Sequence, residues 1–169
     1  IPDGSYKCRL ILEDKAGNEA AYDQNFTVDL TPPSFKEVMI SNPYFSPNGD
    51  GRKDFANILF RVSEPINFVS AEAAANNKNE ILRKLDLIKT NDELQFSSLW
   101  DGKNKDNNVV ADGKYSIKLS AQDLAGNFGL AFAEVETDTI PPVATVSQNL
   151  YAFSPNGDGL KDKVTFNYT

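Results

Sequence analysis

Apolar and polar residues alternate along most of this chain with a period of two. Ile58, Phe60 and Val62 alternate with Leu59 and Arg61. Leu94, Phe96 and Trp100 share one side of their run, with Ser98 between them. Tyr115, Ile117, Leu119 and Ala121 alternate with Ser116, Lys118 and Ser120. Successive side chains of a strand point to opposite faces, so alternation of this length predicts half-buried strands. The pattern predicts strands over about 35–40, 55–63, 66–74, 80–88, 93–100, 113–122 and 129–137. The run 71–75 is all Ala apart from Glu72 and has helical propensity. It is short, however, and Asn76-Asn77-Lys78-Asn79 ends it as a turn, so it too is read as strand. The charged stretch from Lys78 to Lys89, with Arg83 and Lys84, then reads as a solvated side.

The alternation returns near both ends, in Tyr6, Cys8, Leu10 and Leu12 and in Val164, Phe166 and Tyr168. It belongs to an internal repeat. Slid by 109 residues, Asp3, Gly4, Tyr6, Leu10, Asp14, Gly17, Asn18, Asp29, Pro32 and Pro33 fall on Asp112, Gly113, Tyr115, Leu119, Asp123, Gly126, Asn127, Asp138, Pro141 and Pro142. From Phe45 onward, which falls on Phe153, the offset is 108. A repeat of about 108 residues is close to the size of an Ig-like domain. The expected fold class is therefore all-β, built of tandem Ig-like (fibronectin-III-like) antiparallel β-sandwiches.

The chain is out of phase with its repeat. Residues 1–30 are expected to be the last two strands of a preceding copy, 31–139 a complete copy, and 140–169 the first two strands of a following copy. The Pro pairs at 32–33 and 141–142 are natural stiff joints, because Pro fixes φ and cannot continue a strand ladder. Asp14–Asn18 and Asp123–Asn127 read as hairpin turns in which Gly and Asn take positive φ. Beginning Ile1-Pro2-Asp3-Gly4 without an initiator Met, the chain reads as a piece of something longer. Its two end fragments would carry unburied apolar faces, and an isolated hairpin is marginal in water. The expected partners are therefore neighbouring repeats of the same polypeptide. Self-association through the incomplete terminal repeats, within one molecule or between two, would also cover those faces.

Composition narrows the function. Of 169 residues 40% are hydrophobic, enough for a packed core. The net charge of −7 argues against nucleic acid, whose phosphates need a surplus of Lys and Arg. There is no histidine, which removes the usual general base. The single cysteine allows no intrachain disulfide and no cysteine-based zinc site. No apolar run is long enough to span a bilayer. Paired carboxylates abound, but acidic turns are the background of an acidic protein, and no nucleophile–base pair or phosphate loop is present. An enzyme is not expected.

The most suggestive chemistry lies in a loop that occurs twice, Phe45-Ser46-Pro47-Asn48-Gly49-Asp50-Gly51-Arg52-Lys53-Asp54 and Phe153-Ser154-Pro155-Asn156-Gly157-Asp158-Gly159-Leu160-Lys161-Asp162. Oxygens spaced in this way around glycine suit calcium. The ligands would be Asn48, Asp50, the Arg52 carbonyl and Asp54, and in the later copy Asn156, Asp158, the Leu160 carbonyl and Asp162. The match to a helix–loop–helix calcium loop is partial: Ser46 and Ser154 stand where its first Asp belongs, and Asn57 and Thr165 where its closing Glu belongs. Sandwich topology would bring Asp101, Asp106 and Asp112 towards Asp50 and Asp54 to complete a shell. The alternative is a tight turn, with Gly49 and Gly51 left-handed and Asn48 and Asp50 capping backbone N–H groups.

Three other features have two readings each. Trp100 beside Asp101 could stack a sugar ring, or anchor the core on the Leu94/Phe96 face. Tyr115 and Tyr6 could mark a recurring site, or be corner tyrosines with the hydroxyl tied to backbone. Cys8, aligned with Ile117, is expected to be a buried, inert thiol.

Trp100-Asp101-Gly102-Lys103, then Ala111-Asp112-Gly113-Lys114-Tyr115, then Asp123-Leu124-Ala125-Gly126-Asn127, resembles the Ig-like domain of flagellar hook-capping proteins and similar bacterial surface repeats. Asn79–Leu85 fits the same family's hairpin. The Phe-Ser-Pro-Asn-Gly-Asp-Gly loop resembles the opening motif of sorting or anchoring domains and Ig-like repeats of exported bacterial proteins. Both resemblances imply a secreted or cell-surface module, extracellular or periplasmic, and neither implies catalysis. The reading that follows is a structural spacer repeat of a large exported protein, stiffened at its joints by calcium. The alternatives are an adhesin module that binds a host protein or glycan through Trp100, Phe68 or Tyr44, and a part in the assembly of an extracellular filament.

Overall fold

Alternating burial along each run decides which strands face one another. The computed structural model describes residues 1–169, contains strands and no helix, and divides into two compact units, Ile1–Thr139 and Ile140–Thr169. In the first unit β1 (Gly4–Glu13) and β2 (Glu19–Val28) form an antiparallel hairpin. Nine strands follow: β3 (Phe35–Ser41), β4 (Tyr44–Phe45), β5 (Ala56–Val62), β6 (Ile66–Ala75), β7 (Ile81–Leu85), β8 (Ile88–Lys89), β9 (Gln95–Trp100), β10 (Gly113–Asp123) and β11 (Phe128–Thr137). They make two sheets, ordered β4-β11-β10-β6-β7 and β3-β5-β9-β8. Their facing sides close on one core, which is the Ig-like sandwich.

The core is aromatic where the sequence alternates most regularly. Phe60 stacks on Phe96 and meets Phe35 edge-on, each pair with centroids 5.7 Å apart. Trp100 meets Phe45 at 5.5 Å and Tyr115 at 5.4 Å, both edge-on. Trp100 is fully buried and donates its indole N–H to the Lys103 carbonyl at 3.0 Å, so it is a core anchor and offers no ring to a sugar. Burial of each large side chain contributes about 1.5–3 kcal/mol. Ala71 and Ala73 of β6 line the same core as strand residues.

Two elements depart from the alternation. The single strand expected over 80–88 divides, with β7 in one sheet and β8 in the other. Leu85 is buried at the end of β7, and Ser98 donates its hydroxyl to the Asp86 carbonyl at 2.7 Å, fixing the crossing between layers. β4 has no periodic signal because it is two residues long. It pairs parallel with β11 (Tyr44↔Glu136, Phe45↔Thr137) and inserts Phe45 beside Trp100.

The hairpin β1–β2 repeats the hairpin β10–β11. Tyr6 donates its hydroxyl to the Pro2 carbonyl at 2.8 Å, and Tyr115 does the same to Ala111 at 2.7 Å, so both are corner tyrosines. The turns also match. Asp14 Oδ1 accepts the N–H groups of Ala16 and Asn18, and Asp123 Oδ1 those of Ala125 and Asn127. Gly17 and Gly126 take positive φ; the asparagines do not, and serve instead through side-chain amides donated to Asp14 and Asp123. No sheet faces β1–β2. Leu10, Leu12 and Tyr22 are more than half exposed, and Cys8, expected to be buried, is exposed with them.

The second unit holds β12 (Val146–Gln148) and β13 (Phe166–Tyr168), paired antiparallel. Gln148↔Phe166 and Ser147↔Asn167 reproduce, 108 residues on, the pairs Ile40↔Ile58 and Met39↔Leu59 between β3 and β5.

Candidate cation sites and the joint between repeats

The two Asn-Gly-Asp-Gly loops fold alike. Each has left-handed glycines, Gly49 and Gly51 or Gly157 and Gly159, and a left-handed Lys53 or Lys161. Asp54 accepts the N–H of Gly49 on Oδ1 and of Gly51 on Oδ2, both at 2.8 Å; Asp162 accepts those of Gly157 (2.9 Å) and Gly159 (2.7 Å). Asn48 Oδ1 accepts the Asp50 N–H, and Asp50 Oδ1 the Arg52 N–H; Asn156 and Asp158 accept those of Asp158 and Leu160. The Leu160 N–H, then the Asn156 amide, hold the Asp158 carboxyl below the usual aspartate range. The proposed side-chain ligands therefore already accept backbone donors, and each loop is folded by its own hydrogen bonds. A carboxylate oxygen with one donor keeps a lone pair for a cation.

Pro47 packs on Gly102, whose Cβ position would lie 2.6 Å from the proline ring. This contact puts the first loop against the Trp100–Lys103 turn. A cleft of about 310 Å³ there is lined by Asn48, Gly49, Asp54, Asp101 and Lys103, with Phe55 and Val109 at its sides. Asp101 thus borders the same cleft as Asp54, but it faces cations already, Lys103 at 3.4 Å and Arg83 at 3.8 Å. Asp112 is used elsewhere. It accepts the N–H and hydroxyl of Thr139, fixing the exit of β11, as Asp3 holds the Leu30 N–H and the Thr31 hydroxyl at the exit of β2. Asp106 sits in the Asn104–Asn108 turn, with its N–H on Asn104 Oδ1.

At the other end of β5 the structure gathers a group that the sequence alone did not single out. One carboxylate oxygen from each of Asp29, Glu64 and Asp123 lies within 4.8 Å of the other two. Asp29 follows the preceding hairpin, Glu64 follows β5, and Asp123 ends β10. Asp123 is buried. Burial pushes its carboxyl up, but hydrogen bonds from Asn127, Ala125 and Gly126 outweigh this and hold it below the usual aspartate value. No Lys or Arg forms an ion pair with any of the three. Three carboxylate oxygens, one after β2, one after β5 and one at the end of β10, are hard donors of the kind calcium takes, six to eight in all.

The surroundings fix the joint without any ion. Asn127 donates its amide to Asp123 (2.9 Å) and also to the Asp29 carbonyl (3.0 Å). Ser34 and Ser63 exchange two bonds, Ser63 N–H to Ser34 carbonyl and Ser34 N–H to Ser63 hydroxyl, both 2.9 Å. Pro33 is buried on Gly129, where an added Cβ would lie 1.9 Å from the Pro33 carbonyl oxygen. A signal for this site was present in the repeat: Asp29 and Asp123 fall on Asp138 and Asp14. Glu64 has no equivalent within the chain.

Part of the chain matches a known Ig-like family. The family model of the FlgD Ig-like domain matches residues 51–124, the middle of the sandwich from the opening loop to the β10–β11 turn. No curated protein matches the chain. A crystal structure described as a tetra-tandem repeat in the extending region of a large adhesion protein is similar at 21% identity and a TM-score of 0.48, covering 88% of this chain and 35% of that one. Another, described as a Ca2+-stabilized adhesin that helps an Antarctic bacterium reach out and bind ice, is similar at 15% identity and a TM-score of 0.37, covering 86% and 34%. The chain spans about a third of the length of each.

Proposed function

We propose that this chain is a non-catalytic spacer of a large exported bacterial surface protein, made of Ig-like repeats whose joints are held at a set angle. The observation that carries the reading is the joint itself. The Asp29–Pro33 link is tied to the complete copy by Asn127, by the Ser34–Ser63 pair and by the contact of Pro33 with Gly129. A link meant only as a tether would need none of these. Stacked repeats that contact their neighbours suit projection of other domains from a surface. The extracellular or periplasmic setting rests on the resemblance to exported repeats. The test is the spread of distances between a label on Cys8, before the joint, and one on the complete copy after it.

Calcium is the finer part of this reading. A divalent cation between Asp29, Glu64 and Asp123 would offset the repulsion of three carboxylates and lock the joint further. The opening loops, with Asn48, Asp50 and Asp54 or Asn156, Asp158 and Asp162, are the second place for it. Calorimetric titration of calcium into chelator-treated protein separates the two. Saturable binding lost in Glu64→Gln but kept in Asp50→Ala supports the joint site, and the reverse supports the loops. No heat up to millimolar calcium removes the cation from the account and leaves the joint to its hydrogen bonds.

The adhesin reading keeps a surface other than Trp100. Phe68 and Phe128 flank Gln122 in one row across the outer face of the five-stranded sheet, and both rings are exposed. The corresponding place in β2 holds Glu19, so this apolar row is no requirement of the fold. Loss of binding to a cell or glycan surface in Phe68→Ser together with Phe128→Ser would support adhesion. Unchanged binding would leave the spacer role alone.

A further inference from the structure

The opening loops hold the only two Asn-Gly pairs in the chain, Asn48-Gly49 and Asn156-Gly157. Such a pair can modify itself. The backbone nitrogen of the glycine attacks the side-chain carbonyl carbon of the asparagine, and no Cβ on the glycine hinders the approach. The turn cannot avoid glycine here, since φ is +79° at Gly49 and +80° at Gly157. Neither pair is shielded from water: Asn48, Gly49, Asn156 and Gly157 are all exposed. The fold instead holds the attacking atom. Gly49 donates its N–H to Asp54 Oδ1 at 2.8 Å, and Gly157 donates its N–H to Asp162 Oδ1 at 2.9 Å. The asparagine is held as well. Asn48 Oδ1 accepts the Asp50 N–H at 3.0 Å, and Asn156 Oδ1 the Asp158 N–H at 3.3 Å. Ser46 N–H to the Lys53 carbonyl, and Ser154 N–H to that of Lys161, close the base of each loop at 2.9 Å.

We propose that Asn48 and Asn156 are self-modification sites, each held unreacted by one carboxylate, Asp54 or Asp162. The reaction is a deamidation. A bond forms between the Gly49 nitrogen and Asn48 Cγ, and the Cγ–Nδ2 bond breaks. The side-chain nitrogen leaves as ammonia, taking the proton that the glycine N–H gives up. Water then opens the five-membered imide at either carbonyl and leaves aspartate or a β-linked isoaspartate. Nothing is oxidised or reduced, and water is the only co-reactant. The clamp opposes the first step in two ways. The nitrogen must lose a hydrogen bond to a carboxylate, about twice as strong as a neutral one. It must also give up its proton, and the charge of Asp54 disfavours a second negative charge beside it. Where the clamp opens, a neutral amide becomes a carboxylate. The β-linked product also adds a backbone atom to a loop packed through Pro47 on Gly102. The clamp works without a cation and without the Asp29–Pro33 joint.

The experiment incubates the full chain at mildly alkaline pH, with chelator to keep calcium out. Mass spectrometry of the digested peptides reads Asn48 and Asn156 separately. The expected result is slow conversion at both sites in the folded chain and fast conversion at both in denaturant. Asp54→Ala is expected to speed conversion at Asn48 about ten- to a hundredfold, the equivalent of one hydrogen bond to a charged group, and to leave Asn156 of the same molecule unchanged. Asp162→Ala is expected to do the reverse. Each variant thus carries its own control, and the fluorescence of Trp100, the one tryptophan, confirms that the complete copy remains folded. A folded wild-type chain that converts as fast as the denatured one overturns the proposal. So do variants no faster than wild type. Equal acceleration at both sites in either variant overturns it too, because the protection would then come from overall folding and not from the clamp.

Discussion

Asn127 donates its side-chain amide to the Asp29 carbonyl at 3.0 Å across 98 residues of sequence. The same side chain closes its own turn on Asp123 at 2.9 Å. Asn18, its counterpart, closes the equivalent turn on Asp14 at 2.8 Å. The hairpin turn is thus a local device of the repeat, and at Asn127 the same side chain has a second use in gripping the residues that follow β2.

Comparison of Asn127→Ala with Asn18→Ala isolates that second use. Both lose the turn bond, and only Asn127→Ala also loses the bond across the joint, at about 1 kcal/mol per hydrogen bond. Asn127→Ala should loosen the joint, broadening the distances between labels on its two sides. Asn18→Ala should leave those distances unchanged.

Gly129 is needed for room. Its φ is not in the left-handed region, so another residue fits its backbone, but a Cβ would lie 1.9 Å from the Pro33 carbonyl oxygen. Gly129→Val should lower stability by roughly 1–3 kcal/mol, the usual cost of overpacking, and displace the link. Thermal melting reads the first effect and the label distance the second. Ala20 stands at the equivalent place in β2.

Acid should unfold this protein from the aspartate side. The amide of Asn18 chiefly, with backbone N–H groups, holds Asp14 below its ordinary value of 3.8. At Asp92 the Leu94 N–H does so against burial, with Arg61 assisting. At Asp123 the Asn127 and backbone bonds do so against burial. A carboxyl depressed in the folded chain stabilises it at pH values above the unfolded value, and the contribution disappears as pH falls through the folded one. The melting temperature should therefore be flat from neutrality to about pH 5 and drop as pH passes below about 4. Asp123→Asn should lower the melting temperature at neutral pH and make the acid drop shallower.

Phe60 carries the centre of the core between Phe35 and Phe96. Phe60→Ala should cost about 3–5 kcal/mol, the range for buried aromatic truncation. Denaturant unfolding followed by Trp100 fluorescence measures it. A loss under 1 kcal/mol would mean that the rings repack and the core is looser than its geometry implies.

Much of this was legible in the alternation and the repeat. The strands around Ile58, Phe96, Ile117 and Val135 lie where period two put them, because each has one face on a single core. The corner tyrosines and the buried Trp100 followed from their places on those faces. The sheet change at Asp86-Leu87 was not legible, since a hydroxyl from Ser98, distant in sequence, fixes it. Cys8 was misplaced because a residue that points inward is buried only when a second sheet covers it. The candidate site was legible as chemistry but not as place. The oxygen-rich loop drew attention through its repeated motif, while Asp29, Glu64 and Asp123 are brought together only by tertiary packing.

On the proposed reading Asp29–Pro33 is a fixed joint. The most direct test is the distance distribution between spin labels at Cys8 and at an introduced Leu99→Cys, two exposed positions on either side of it. A fixed joint gives a single narrow distribution in the unaltered chain, narrowed further by calcium if the Asp29–Glu64–Asp123 group binds it, and broadened by Gly129→Val. A broad distribution in the unaltered chain, with calcium and without, would contradict it and make the link a simple tether.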